Sequence, residues 1–184
     1  LTGWASYTFG VADRKAYGLT YPFDYDRRHS LSVVGSWHLT RRLNLSFTAR
    51  AASGFPYTRV KGLRVAAVED VGDADGDGDR SELVPERDAA GRPVWETSFG
   101  GLSELNSSRM PYFARLDARL TFTPTRGNGR FKFYLDVINL LNRKNAGLME
   151  TTLEYDPGSE QPRIAEKPTG SIPFIPSFGI HVRF

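Results

Sequence analysis

The stretch 177–184, SFGIHVRF, alternates without a break: Phe178, Ile180, Val182 and Phe184 fall on one side of an extended chain, with Gly179, His181 and Arg183 on the other. A period of two belongs to a strand with one face against something apolar, because successive side chains point to opposite faces. Terminal residues fray unless they are paired. The pattern therefore predicts a strand held in a sheet as far as Phe184.

The same period recurs upstream. Leu1, Gly3, Ala5, Tyr7, Phe9 and Val11 oppose Thr2, Trp4, Ser6, Thr8 and Gly10. Leu31, Val33, Gly35, Trp37 and Leu39 oppose Ser30, Ser32, Val34, Ser36 and His38, and after a short turn at Thr40, Arg41 and Arg42 the residues Leu43, Leu45, Phe47, Ala49 and Ala51 oppose Asn44, Ser46, Thr48 and Arg50. Those two segments predict a tight hairpin. In the second half, Ala114, Leu116, Ala118, Leu120 and Phe122 oppose Arg115, Asp117, Arg119 and Thr121, and beyond the turn residues of PTRGNG the set Phe131, Phe133, Leu135 and Val137 opposes Lys132, Tyr134 and Asp136. About six strands result, joined alternately by short turns and by long connections near 14–28, 55–113 and 143–176. Such alternation puts every short turn at one end of an up-and-down sheet, the asymmetry of transmembrane barrels.

Composition leaves that reading open and closes others. The chain has 184 residues, 40% hydrophobic and 12% aromatic, with a mean hydropathy of −0.40, and no run approaches the length of a spanning helix. A β-barrel remains possible, since its strands carry only alternate apolar residues. A net charge of +3 without a basic run or aromatic-basic stripe gives no sign of nucleic acid binding. Without cysteine there are no disulfides or thiolate metal sites. The opening LTGWASYTFG, without Met or a signal-peptide pattern, reads as a mature, trimmed or partial chain.

A soluble antiparallel sandwich would alternate equally well, because one face packs on its core. Two features favour lipid. The apolar faces hold no Asp, Glu, Lys or Arg although 24% of the chain is charged, and the opposite faces carry charges of both signs, as a wide hydrated lumen would. Trp37, Phe122, Phe131 and Phe184 lie near the short-turn end, where an interfacial aromatic belt belongs. Closure of a barrel pairs the last strand with the first, which answers why the terminal stretch alternates to its end.

The C-terminal stretch also resembles the assembly signal of bacterial outer-membrane barrels, carried here by Phe178, Ile180, Val182 and Phe184. More narrowly, DYDRRHSLSVVGSW, ARAASGFPYT, RMPYFARLDARLTF and YLDVINLLNRKN, in that order and closing on PSFGIHVRF, resemble the last strands of a TonB-dependent outer-membrane receptor. The resemblance implies an all-β, antiparallel, up-and-down transmembrane segment spanning residues 1–184, part of a barrel of about 22 strands plugged by an N-terminal domain. It implies capture of an unidentified small ligand and energy-driven import across the bacterial outer membrane. The implied partners are outer-membrane lipid, the barrel-assembly machinery, the chain's own missing N-terminal barrel strands and plug, and the TonB complex reached through the missing N-terminus. About six strands cannot close, since the smallest such barrels have about eight, so this chain reads as a transporter fragment. A porin or adhesin without energy coupling, and a soluble calcium- or carbohydrate-binding sandwich, are the alternatives.

Candidate chemical sites are few. In VGDADGDGDRSE, the residues Asp73, Asp75, Asp77 and Asp79 match the first half of a calcium loop, but its twelfth position holds Val84 instead of a bidentate Glu. A solvated acidic loop explains them too, and no cofactor is assigned. Arg115, Asp117, Arg119 and Asp136 form an ionic patch on the polar face, either docking the plug or pairing across strands. His29, His38 and His181 lack ligand spacing, while Asn139, Asn142 and Asn145 are suited to ending a strand through side-chain to backbone bonds. Loop aromatics (Tyr17, Tyr21, Phe23, Tyr25, Trp95, Phe99, Tyr112 and Phe113) suit either ligand capture or loop packing. No catalytic signature is present, so no enzymatic activity is expected.

Overall fold

The computed structural model describes residues 1–69, 83–125 and 130–183. Six long strands form one antiparallel meander: β1 (Thr2–Phe9), β2 (His29–His38), β3 (Leu43–Ala52), β4 (Phe113–Phe122), β5 (Phe131–Ile138) and β6 (Ile175–Val182), paired in chain order. The described residues contain no α-helix. β1 and β6 each keep one unpaired edge, so no barrel closes among these strands.

Directly paired residues share a face, and the register assembles the separate alternations into one surface. Gly35 lies opposite Phe47, Phe47 opposite Ala118, Ala118 opposite Val137, and Val137 opposite Pro176. Tyr7, Leu31, Ala51 and Ala114 make another row of that face. It carries no Asp, Glu, Lys or Arg on any of the six strands, and its only histidine, His29, sits at the long-loop end, where Nδ1 is 2.8 Å from the Tyr7 hydroxyl. The other face is polar: Ser6, Ser32, Arg50 and Arg115 form one row, and His38, Asn44, Thr121, Tyr134 and Gly179 another. Tyr134 lies across Gly179, where a Cβ would come within 2.2 Å of its ring, so this row needs glycine.

The short connections lie at one end. Between β2 and β3 the Thr40 hydroxyl accepts the amides of Arg42 and Leu43 at 3.2 and 3.0 Å, a local side-chain turn. The long connections lie at the other end and fold into small hairpins of their own, including Asp13–Ala16 with Leu19–Pro22, Gly62–Val65 with Trp95–Ser98, and Leu148–Glu154 with Arg163–Thr169.

Nothing among the described residues covers the apolar face. Phe178 is 68% exposed, and among the described residues only Ala52, Val60 and Ala66 are buried hydrophobic ones. An apolar sheet face left open on this scale is the kind of surface that lipid, further strands or a partner covers.

Candidate functional site

On the polar face the four charges of the ionic patch form two closed pairs. Arg115 donates from Nε and Nη2 to Asp117 at 2.7–2.9 Å within β4, and Arg119 donates across the register to Asp136 at 2.5 and 2.8 Å. Arg119 also lies 4.9 Å above the Tyr134 ring. Arg50 stands directly opposite Arg115 and makes no ion pair among the described residues.

Asp117 has a second task. The pairing of β4 with β5 runs only from Ala118 to Phe122, which leaves the loop-side half of β4 without a strand neighbour there. The segment after β5 fills the gap. Asn139 turns the chain at φ 54, its amide donates to Asp117 at 2.9 Å, and the Leu140 amide donates to the Leu116 carbonyl at 2.7 Å. Asn145 then presents its side-chain amide to Ala114, accepting from N and donating to O at 2.9 Å each, as a paired peptide group would. Asn139 is fully buried, and its Nδ2 donates to the carbonyls of Arg143 and Ile172 at 3.1 and 2.8 Å. These asparagines do end the strand through side-chain to backbone bonds. Asn145→Ala should lower stability by about 2 kcal/mol, because two groups of Ala114 lose their partner. A urea titration that finds the midpoint unchanged would show that water replaces the amide without cost.

The loops are tied together by a buried carboxylate. Asp26 is 1% exposed; its Oδ1 accepts the Ala12 amide at 3.0 Å, and its Oδ2 pairs with Arg109 and, at 3.5 Å, with Arg28. Arg109 also donates to the carbonyls of Asp26 and Gly54 at 2.9 and 3.3 Å, joining the first long connection to the second. Burial alone would raise the Asp26 pKa, but the Ala12 amide and the Arg109 guanidinium outweigh it and hold the carboxyl below its ordinary value. Asn106 makes a second tie, donating to the Pro22 carbonyl and to Asp24 at 2.9 and 2.7 Å. The second connection meets the third through Arg59 and Glu166 at 3.0 Å, and through the Trp95 indole and the Glu160 carbonyl at 2.9 Å.

Many of the loop aromatics hold this layer together. Arg14 lies over Phe23, Phe23 meets Tyr25, Tyr25 meets Phe55, and Arg27 lies over both Phe55 and Phe113. Arg143 stacks on Tyr112 with 3.8 Å to the ring centroid. Tyr17 differs: it is 84% exposed and has φ 54 in a two-residue hairpin turn with Gly18. A bulky side chain rarely occupies that backbone conformation.

Phe178, Ile180 and Val182 lie on the apolar face of β6, and Phe184 lies outside the described residues, as do Asp73, Asp75, Asp77 and Asp79. No cluster of metal-ligating side chains occurs among the described residues. Asp26 and Arg109 escaped sequence reasoning because they are 83 positions apart, and no spacing rule links such residues. Compared with protein-family models, curated proteins and solved structures, the chain matches none.

Proposed function

We propose that this chain is a six-strand segment of a large bacterial outer-membrane β-barrel of the TonB-dependent receptor kind. Its long loops face outward to capture a small ligand, and its polar face lines the lumen. The observation that carries this reading is a continuous, uncovered face without a formal charge. The ten residues of β4 rise about 3.3 Å each, so at a tilt of about 40° they reach roughly 25 Å, the height of the apolar band of such barrels. The two free edges call for neighbouring strands of the same barrel, since an unpaired edge in hydrocarbon is costly.

In the intact receptor, Arg115, Asp117, Arg119 and Asp136 face the plug, and Phe178, Ile180, Val182 and Phe184 form the strand that the assembly machinery reads. Energy delivered through the TonB complex moves the plug while the barrel stays nearly rigid, and no catalytic step is assigned. The choice of this receptor class over a porin or adhesin rests on the ordered set of resembling stretches.

The test is to express the chain behind a signal peptide in a Gram-negative host and fractionate the cells. The expected result is a chain in the outer-membrane fraction that alkaline carbonate does not extract, reduced when Phe184 is removed. A folded, monomeric chain in detergent-free buffer would overturn the membrane reading.

A further inference from the structure

Near the long-loop end of the polar face two arginines stand directly opposite one another. Arg50 of β3 is in register with Arg115 of β4, and like charges placed so across a sheet repel. Asp117 draws Arg115 toward itself with bonds of 2.7–2.9 Å, so one carboxylate serves a row of two guanidinium groups. Arg50 is exposed, and its donors are open to a ligand on that face.

A third guanidinium lies one row nearer the loops. Phe113 precedes Arg115 by two residues on the same face, roughly 7 Å along the strand. Arg27 lies 5.5 Å from the centroid of the Phe113 ring and 4.1 Å from that of Phe55. It is part-buried, and burial pushes its pKa down from the ordinary guanidinium value, although an arginine stays charged. A cation held against neutral rings with part of its water removed attracts an anion more strongly than a hydrated one does. The neighbouring carboxylates are committed elsewhere: Asp26 is shared by Arg109 and Arg28, and Asp24 accepts the Asn106 amide at 2.7 Å. Among the described residues this end of the polar face is therefore net positive.

Guanidinium groups recognise carboxylates through paired, charge-assisted bonds. An anion with a single acidic group would meet one row of arginines only, whereas one with two would meet both. We propose that the loop-side end of the polar face binds a small polycarboxylate, with one carboxylate on Arg50 and Arg115 and a second on Arg27. The proposal rests on the reading of this face as a hydrated lumen open toward the long loops, and its test is separate from membrane insertion.

The intact barrel that contains this chain, in detergent micelles, is titrated by calorimetry with succinate, glutarate and tricarballylate, with inorganic phosphate, and with succinamide as the neutral counterpart. At least one polycarboxylate is expected to bind more tightly than phosphate, succinamide is expected not to bind, and added salt should weaken binding. Arg50→Gln should weaken it by about tenfold or more, the loss expected for a hydrogen bond to a charged group. The same change should leave the melting temperature of the ligand-free barrel no lower, since it removes a like-charge neighbour. Arg27→Lys keeps the charge but gives up the planar fork, and should also weaken binding. Arg92→Gln, whose parent side chain pairs with Asp88 at 2.7 Å, should not, and circular dichroism checks the fold of each variant. Failure of every polycarboxylate to bind, equal binding of succinamide, tighter binding of phosphate, salt-independent binding, or unchanged affinity in both the Arg50 and Arg27 variants would overturn the proposal. So would a lower melting temperature in Arg50→Gln, which would mean that a partner within the barrel already holds this arginine. A barrel that binds a polycarboxylate yet is soluble without detergent sinks the membrane reading alone; one that inserts but binds none of them sinks this proposal alone.

Discussion

Leu116→Arg should destabilise the intact barrel that contains this chain, folded in lipid vesicles, by about 2–4 kcal/mol, whereas Thr48→Lys should cost less than about 1 kcal/mol. The two positions are close in the sheet but lie on opposite faces. Leu116 pairs with Ala49 on the uncharged face, and Thr48 pairs with Asp117 on the polar one. If hydrocarbon covers the uncharged face, a charge near the middle of β4 must be desolvated or must deform the bilayer, while a lysine beside Asp117 stays hydrated and gains a counter-charge.

A soluble core would also reject an arginine at Leu116, so depth provides the decisive contrast. Phe122, at the short-turn end of β4, should tolerate Arg at a cost of about 0–1 kcal/mol in a bilayer of matching thickness, because the side chain can reach the interface. That cost should rise when the vesicles are made from longer acyl chains, which carry the hydrocarbon past Phe122. Urea titrations in two lipids read both effects. If the Phe122→Arg cost is the same in both, protein and not lipid covers this face.

The six strands were legible because each has a period of two over eight or ten residues, and Phe47, Leu120 and Ile180 proclaim their face by their neighbours alone. The hairpins within the loops were not. Leu148–Glu154 and Arg163–Thr169 pair Met149 with Pro168 and Glu150 with Lys167, so neither strand has a clean apolar side, though the turn residues Asp156, Pro157 and Gly158 between them were a usable signal. The ionic patch was found as a set of residues on one face. Its partition into Arg115 with Asp117 and Arg119 with Asp136 depends on register, which local alternation does not give.

Arg109→Met should be the most damaging single change in the loops, costing about 3–5 kcal/mol, since removing one member of a buried pair leaves the other charge uncompensated. Asp26 is almost wholly buried, and Arg109 also satisfies the carbonyls of Asp26 and Gly54. The loss should appear as early proteolysis at 10–28 and 53–112 while the six-strand sheet stays folded, because the knot ties loops and not strands. Its pH dependence should weaken. In the parent chain the folded Asp26 pKa is depressed, so the pair's stabilisation is present above the ordinary carboxylate value and is lost as pH falls through the folded pKa. Without Arg109 two of the influences that lower this pKa are gone, so the depression shrinks and less stability is left to lose in acid. Limited proteolysis by pepsin at low pH and by trypsin at neutral pH compares the two chains across that window. If acid fails to narrow the gap between them, Arg109 acts through its bonds to the two carbonyls and not through the Asp26 charge.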